Sequence, residues 1–154
     1  MKIYFVRHAE PDYELSKKDR GEYPGAELSK KGLEQAEKLA SALSKIQFDR
    51  IYCSNLKRTE QTIEPLKKIK SQNIIFDSRI RETADVINGY LNHNDFDEPE
   101  IDQKKRLESF MKDIKQRFGS ILIVSHFNTI EYLSRELGRH IKKPEYAHIN
   151  IIEI

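Results

Sequence analysis

The stretch Lys2-Ile3-Tyr4-Phe5-Val6-Arg7-His8-Ala9-Glu10 decides the fold. Ile3 to Val6 is a run of β-branched and aromatic residues with little polar relief on either face. That pattern belongs to a strand in the buried middle of a parallel sheet. The run stops abruptly at an arginine and a histidine. In an open α/β sheet, ligands bind in the crevice beyond the carboxyl ends of the strands. A cation and an imidazole delivered there are placed to hold and attack an anion. Arg-His alone is a short signal and fits a strand end capped in water equally well. Its weight comes from recurrence along the chain.

After this strand, Pro11 to Leu28 is polar and contains Gly21, Pro24 and Gly25, so it reads as a loop. Ser29 offers an N-cap, and Leu33, Ala36, Leu39, Ala40, Leu43 and Ile46 recur at helical spacing. Phe48 to Cys53 is a second strand that also ends in polar residues, Ser54 to Thr59. A helix is predicted from near Leu56 towards Lys70, with Pro65 a point of kink or break. Asn73 to Phe76 is a third, shorter strand, followed by Arg79, Arg81 and Glu82. Thr83 to Glu100 reads as a loop with one helical turn at most. From Asp102, the residues Leu107, Phe110, Met111, Ile114 and Phe118 form a second amphipathic stripe, ended by Gly119. Ile121 to Val124 is a buried strand that delivers Ser125 and His126. A helix from about Asn128 to Leu137, stopped by Gly138, and a strand from Ala147 to Ile154 close the chain.

At 154 residues the chain reads as one domain spanning 1–154. Strands alternating with helices imply an α/β sandwich with a mainly parallel central sheet flanked by helices. A net charge of +2 is too small to make nucleic acid or an anionic membrane the main partner. No apolar run approaches the roughly 20 residues that span a bilayer. The amino terminus enters a strand at once, without the regions of a signal peptide. One cysteine, Cys53, excludes an internal disulfide and fits a reducing compartment. The cytoplasm is the expected location, and the oligomeric state is left open.

Right-handed crossovers bring successive strand ends to one edge of the sheet. Arg7 and His8, Ser54 to Arg58, Arg81 and Glu82, and Ser125 and His126 would converge there. Arginine forks match phosphoryl oxygens two at a time. A helix starting near Leu56 would add backbone N–H groups and a positive dipole end. The chemistry suggested is phosphoryl transfer without a metal or other cofactor.

These residues resemble the histidine phosphatase superfamily, the phosphoglycerate-mutase-like enzymes. The family's opening Arg-His-Gly is matched by Arg7-His8-Ala9, and its Leu-Ser/Thr-x-x-Gly-x-x-Gln-Ala helix entry by Leu28 to Ala36. Its Ser-x-x-x-Arg-Thr-x-Gln-Thr motif appears as Ser54 to Thr62, placing the arginine at Arg58. Arg81-Glu82 and Val124-Ser125-His126 complete the set in the family's order. The resemblance implies a compact phosphatase with His8 as a nucleophile that becomes phosphohistidine. Arg7, Arg58 and His126 would hold the phosphoryl group, and Glu82 would protonate the leaving oxygen and then deprotonate water. Implied substrates are phosphorylated small molecules or phosphoproteins, including protein phosphohistidine. Ala9, Glu10, Ser54 and Phe127 are candidate pocket-lining residues.

Three departures bear on substrate more than on core chemistry. Ala9 replaces the usual glycine, Phe127 replaces a small residue, and Pro11 stands where many members carry Thr or Asn. A phosphoglycerate-type mutase and a catalytically weak phosphate-binding protein of the same fold are alternatives. The short stretch between Glu82 and His126 favours an open, hydrolytic site, because mutases of the family carry a longer insertion there. A cysteine phosphatase needs Cys-x5-Arg, and Cys53 to Arg58 is one residue short. A metal hydrolase built on His8, Glu10, His126 and an aspartate lacks a recognisable ligand spacing. His93, His140 and His148 read as surface or strand-end residues, with a place at the pocket rim the alternative for His148.

Overall fold

Six consecutive residues, Lys2–Arg7, form β1, and the sheet is assembled on both of its edges. In the computed structural model, residues 1–12, 23–84, 86–87, 90–91 and 98–154 are described. In chain order, α1 (Lys30–Ser44), β2 (Arg50–Cys53), α2 (Lys57–Ile69) and β3 (Ile74–Phe76) come first. A 3₁₀ turn at Ser78–Ile80 follows, then β4 (Val86–Ile87), β5 (Tyr90–Leu91), α3 (Glu100–Lys115), β6 (Ser120–Ser125), α4 (Phe127–Glu136) and β7 (Ile149–Glu153). The main sheet runs β3-β2-β6-β1-β7. All its pairings are parallel except β1 with β7, which is antiparallel. The predicted α/β architecture is the observed one. Among the described residues, no helix is long and apolar enough to cross a membrane.

Alternation along the strands divides the interior in two, because successive side chains leave a strand on opposite faces. Ile3, Phe5, Tyr52, Ile121 and Ile123 meet Leu107, Phe110 and Ile114 of α3 and Ile130 and Leu133 of α4. On the other face, Tyr4, Val6, Ile51, Leu122 and Val124 meet Leu39 and Leu43 of α1 and Ile63 and Leu66 of α2. β1 and β6 are buried on both faces, as their unbroken apolar runs require.

Two glycines are demanded by close approach. A Cβ on Gly32, in the first turn of α1, would lie 2.1 Å from the carbonyl oxygen of Glu10. Gly119 has φ +80°, and a Cβ there would meet the Asp49 carboxylate, which accepts the Ser120 N–H at 2.7 Å. That turn feeds the chain into β6.

Several boundaries differ from the sequence reading. β2 starts at Arg50 rather than Phe48, because Phe48 turns inward and packs edge-on against Tyr4. Pro65 lies inside an unbroken α2. α3 starts at Glu100 and ends at Lys115, which leaves Phe118 87% exposed beyond the stripe. Leu33 is 48% exposed on the outer side of α1. α4 begins one residue early, at Phe127, and β7 begins only at Ile149, since Ala147 adopts φ +52°. Where a loop is expected after Thr83, β4 and β5 pair antiparallel. Much of the expected loop from Pro11 to Leu28, and most of the acidic stretch from Asp95, lie outside the described residues.

Candidate active site

Backbone hydrogen bonds continue past the strands and lock their ends together. His8 N–H donates to Ser125 O at 2.9 Å, Ser54 N–H to Val124 O at 2.9 Å, and Asp77 N–H to Cys53 O at 2.8 Å. The Ser125 hydroxyl donates to Ile80 O at 2.9 Å, tying the segment that leads into Arg81 and Glu82 to the end of β6. Arg7 and His8, Ser54, Glu82 and His126 are thereby held at one edge of the sheet.

His8 is buried, with Nδ1 2.8 Å from Ala9 O and Nε2 3.2 Å from the Nε of Arg58. A carbonyl only accepts, so Nδ1 carries the proton. Nε2 then holds a lone pair and accepts from Arg58. Burial first, and the Arg58 charge second, push His8 well below the usual histidine range, so the ring is neutral at pH 7. Ala9 N–H donates to the Thr62 hydroxyl at 2.9 Å, and that hydroxyl donates to Arg58 O at 2.6 Å. The last residue of the arginine motif thus braces the peptide that orients His8. His126 lies beside His8 with ring centroids 5.2 Å apart, and its Nε2 is 2.8 Å from the Ser54 hydroxyl. Burial, then Arg58, holds His126 neutral as well. Its Nδ1 is buried without a partner among the described residues; in the tautomer in which the Ser54 hydroxyl donates to Nε2, Nδ1 carries an N–H that an anion's oxygen or a water would satisfy.

Arg58 is fully buried in the first turn of α2. Arg7 is fixed from outside the strands: its Cζ lies 3.8 Å from the Tyr146 ring centroid and 5.0 Å from that of Phe127. Its Nη1 donates to Pro144 O at 3.2 Å. Glu82 is held through one oxygen. Oε1 accepts from Thr83 N–H (2.9 Å) and Thr129 N–H (3.2 Å), while the Thr129 hydroxyl donates to Arg81 O at 2.8 Å and lies 3.3 Å from Oε1. Burial raises this carboxyl above its usual range, against the opposing pull of those amides and of Arg58 and Arg7. Arg106 donates to the carbonyls of Arg79, Arg81 and Glu82 at 2.8, 3.0 and 2.8 Å and pairs with Glu98. The backbone beneath Glu82 is therefore clamped.

The structure brings together Arg7, His8, Ser54, Arg58, Glu82 and His126. Ala9 is buried against Leu28 and Ala36, without the positive φ that would require glycine. Phe127 flanks Arg7. Glu10 Oε1 accepts from the Ser29 hydroxyl at 3.0 Å and its Oε2 lies 3.8 Å from Lys31. It is turned to the start of α1, where a carboxylate favours the helix dipole. The Lys57 N–H at the head of α2 is taken by Pro24 O. Cys53 is buried with its thiol pushed up by desolvation, the opposite of a nucleophile's environment. No group of three or more His, Cys, Asp or Glu that could hold a metal occurs among the described residues. His140 and His148 are exposed, and His93 lies outside the described residues. Thr129, Arg106 and Tyr146 carry no local sequence signal. Thr62 lies in a quoted motif whose acceptor role only the fold reveals.

The model of the histidine phosphatase superfamily (branch 1) matches residues 3–89. The chain belongs to this superfamily. It is 33% identical over 82 residues to probable phosphoglycerate mutases of Shigella dysenteriae and Escherichia coli K12. The match covers 53% of the chain but only 38% of those relatives' length. Among solved structures, an alpha-ribazole phosphatase from Shigella flexneri superposes with TM-score 0.77 at 21% identity, over 100% of this chain and 91% of that one. YhfR of Bacillus stearothermophilus superposes with TM-score 0.73 at 21% identity, over 99% and 91%. At that identity these neighbours speak for the fold shared across the superfamily.

Proposed function

We propose that this superfamily member is a phosphatase that hydrolyses phosphomonoesters, or phosphohistidine on a protein, through a covalent phosphohistidine on His8. The observation that carries the reading is the hydrogen bonding of His8. Nδ1–H is anchored on Ala9 O and Nε2 keeps its lone pair, facing the Arg58 guanidinium. That is the tautomer and charge state a nucleophilic imidazole needs.

In the first step the Nε2 lone pair attacks phosphorus and the bond to the leaving oxygen breaks. Glu82 gives its proton to that oxygen. Arg58 shifts its donor from Nε2 to a phosphoryl oxygen, and Arg7 and His126 take the others, so charge on the transferring group meets pre-oriented donors. In the second step the Glu82 carboxylate takes a proton from water as its oxygen attacks phosphorus. The P–N bond breaks, its electrons return to Nε2, and inorganic phosphate leaves. In a mutase, the alternative supported by the named relatives, a hydroxyl of the bound substrate would take the water's place.

The test is acid- and alkali-quenched labelling with a ³²P-bearing phosphomonoester. Wild type is expected to carry an acid-labile, alkali-stable label and to release phosphate, and His8→Ala to do neither. Label without phosphate release, but with exchange between substrate hydroxyls, would make it a mutase. Phosphate binding without label in wild type would make it a binding protein.

A further inference from the structure

The segment after α4 reaches back to the site through one isolated bridge, Arg7 to Tyr146, and a turn closed by His148 N–H on Glu145 O at 3.4 Å. Lys143 (φ +48°) and Ala147 (φ +52°) are the non-glycine residues with positive φ among the described residues, and they bracket Pro144 to Tyr146. A Cβ makes that region unfavourable, and such strain persists only where the surroundings over-determine it, commonly at ligand sites. What the segment delivers is specific. Ala147 N–H donates to Arg7 O at 3.0 Å, and Pro144 O accepts from Arg7 Nη1. The Tyr146 ring lies 3.8 Å from Arg7 Cζ and 5.6 Å from the His8 ring. With Nη1 engaged, the guanidinium keeps its Nε–Nη2 edge, and Nε is buried without a partner among the described residues. That edge carries two parallel N–H bonds, the geometry that grips two oxygens of a phosphoryl group.

We propose that Tyr146 is a positioning residue: its ring, held between two strained residues, sets the plane of Arg7 so that the Nε–Nη2 edge faces the phosphoryl group before it arrives. The face of the ring supplies this through cation–π attraction and planar stacking; the hydroxyl is not required. The proposal rests on the reading of Arg7 as a phosphate donor, so its test separates the two.

Inorganic phosphate binding is measured by calorimetry, and kcat/KM with p-nitrophenyl phosphate, for wild type, Tyr146→Phe and Tyr146→Leu. Tyr146→Phe keeps a ring and is expected to stay within about 2-fold of wild type in both. Tyr146→Leu fills similar space without a π face and is expected to weaken phosphate binding and lower kcat/KM by about 10-fold or more, equivalent to about 1.4 kcal/mol. A folded Tyr146→Leu that binds phosphate as wild type does overturns the proposal. NMR relaxation of the Arg7 Nε–H in phosphate-free wild type needs no variant. An order parameter near the rigid-backbone value of about 0.85 is expected, and one below about 0.6 overturns the proposal. Wild type that neither binds phosphate nor labels His8 defeats the underlying reading instead.

Discussion

The two oxygens of Glu82 have different surroundings. Oε1 accepts two amide N–H groups, from Thr83 and Thr129, while no hydrogen bond among the described residues reaches Oε2. A proton on this carboxyl therefore belongs on Oε2, where it is available to a leaving group. Glu82→Gln can keep the Oε1 contacts with its amide oxygen, so the variant isolates the proton. Single-turnover phosphorylation of His8 by an alkyl phosphate is expected to slow by roughly 100- to 10,000-fold, the usual range for loss of a general acid. A nitrophenyl phosphate, whose leaving group departs as a stable anion, is expected to slow far less. Because burial raises this carboxyl, the alkyl phosphate rate in wild type should decline as pH rises through the raised value. The glutamine variant should lack that limb. Equal slowing with both substrates would give Glu82 a positioning role only.

At the scale of elements, the start of α1 is docked on the Glu10 peptide by backbone and side-chain contacts together. Glu10 O accepts Ser29 N–H at 3.0 Å, Glu10 N–H donates to Gln35 Oε1 at 2.9 Å, and Gly32 lies directly against that peptide. Gln61 likewise accepts the Leu28 N–H at 2.7 Å. Gly32→Ala would press a methyl group into the Glu10 carbonyl, and either α1 or the Ala9–Glu10 peptide must move. The expected loss is about 1–3 kcal/mol, seen as a lower urea midpoint. It should come with a fall in kcat/KM, because the same loop carries the Ala9 carbonyl that orients His8. An unchanged midpoint would mean that α1 seats elsewhere. This contact also marks how far the sequence was legible. Gly32, Gln35, Gln61 and Thr62 stand in recognisable motifs, and the helix and strand periods are plain. Spacing reveals which face of an element is apolar but not which backbone group waits opposite. Glu10, a candidate pocket-lining residue, therefore gives no sign in the sequence of its contact with Ser29 at the start of α1. Leu33 and Phe118 read as core, because a stripe extrapolated past its last contact looks the same in one dimension. Tyr146 and Arg106 act across more than a hundred and about two dozen residues of chain, respectively, and no local pattern announces such a contact.

For the molecule as a whole, the site is a source of pH-dependent instability. His8 and His126 are buried neutral, with folded pKa values well below 6.5. As pH falls, the unfolded chain takes up these protons before the folded one does. The stability they confer is complete above about pH 6.5 and drains away below it, by up to about 1.4 kcal/mol per pH unit for each ring. Glu82 has the opposite sign: its raised folded pKa favours the fold below about pH 4.5 and weighs against it as pH climbs through the raised value. Urea midpoints at pH 7.5 and 5.5 should therefore differ more for wild type than for a His8→Gln/His126→Gln variant. Equal differences would show that the rings are not held neutral.

The hydrogen bonds that run past the strand ends have one more effect, on how such a protein can diverge. The candidate reacting groups hang from peptide positions stitched to neighbouring strands, whereas the aromatic rim, Tyr23 over Arg81 and Phe127 beside Arg7, is borne by a connecting segment and a helix end. Exchange of a rim residue leaves the ladder that aims His8 and His126 untouched. On the proposed reading, selection can thus retune which phosphorylated molecule is admitted without reinventing how its phosphorus is attacked.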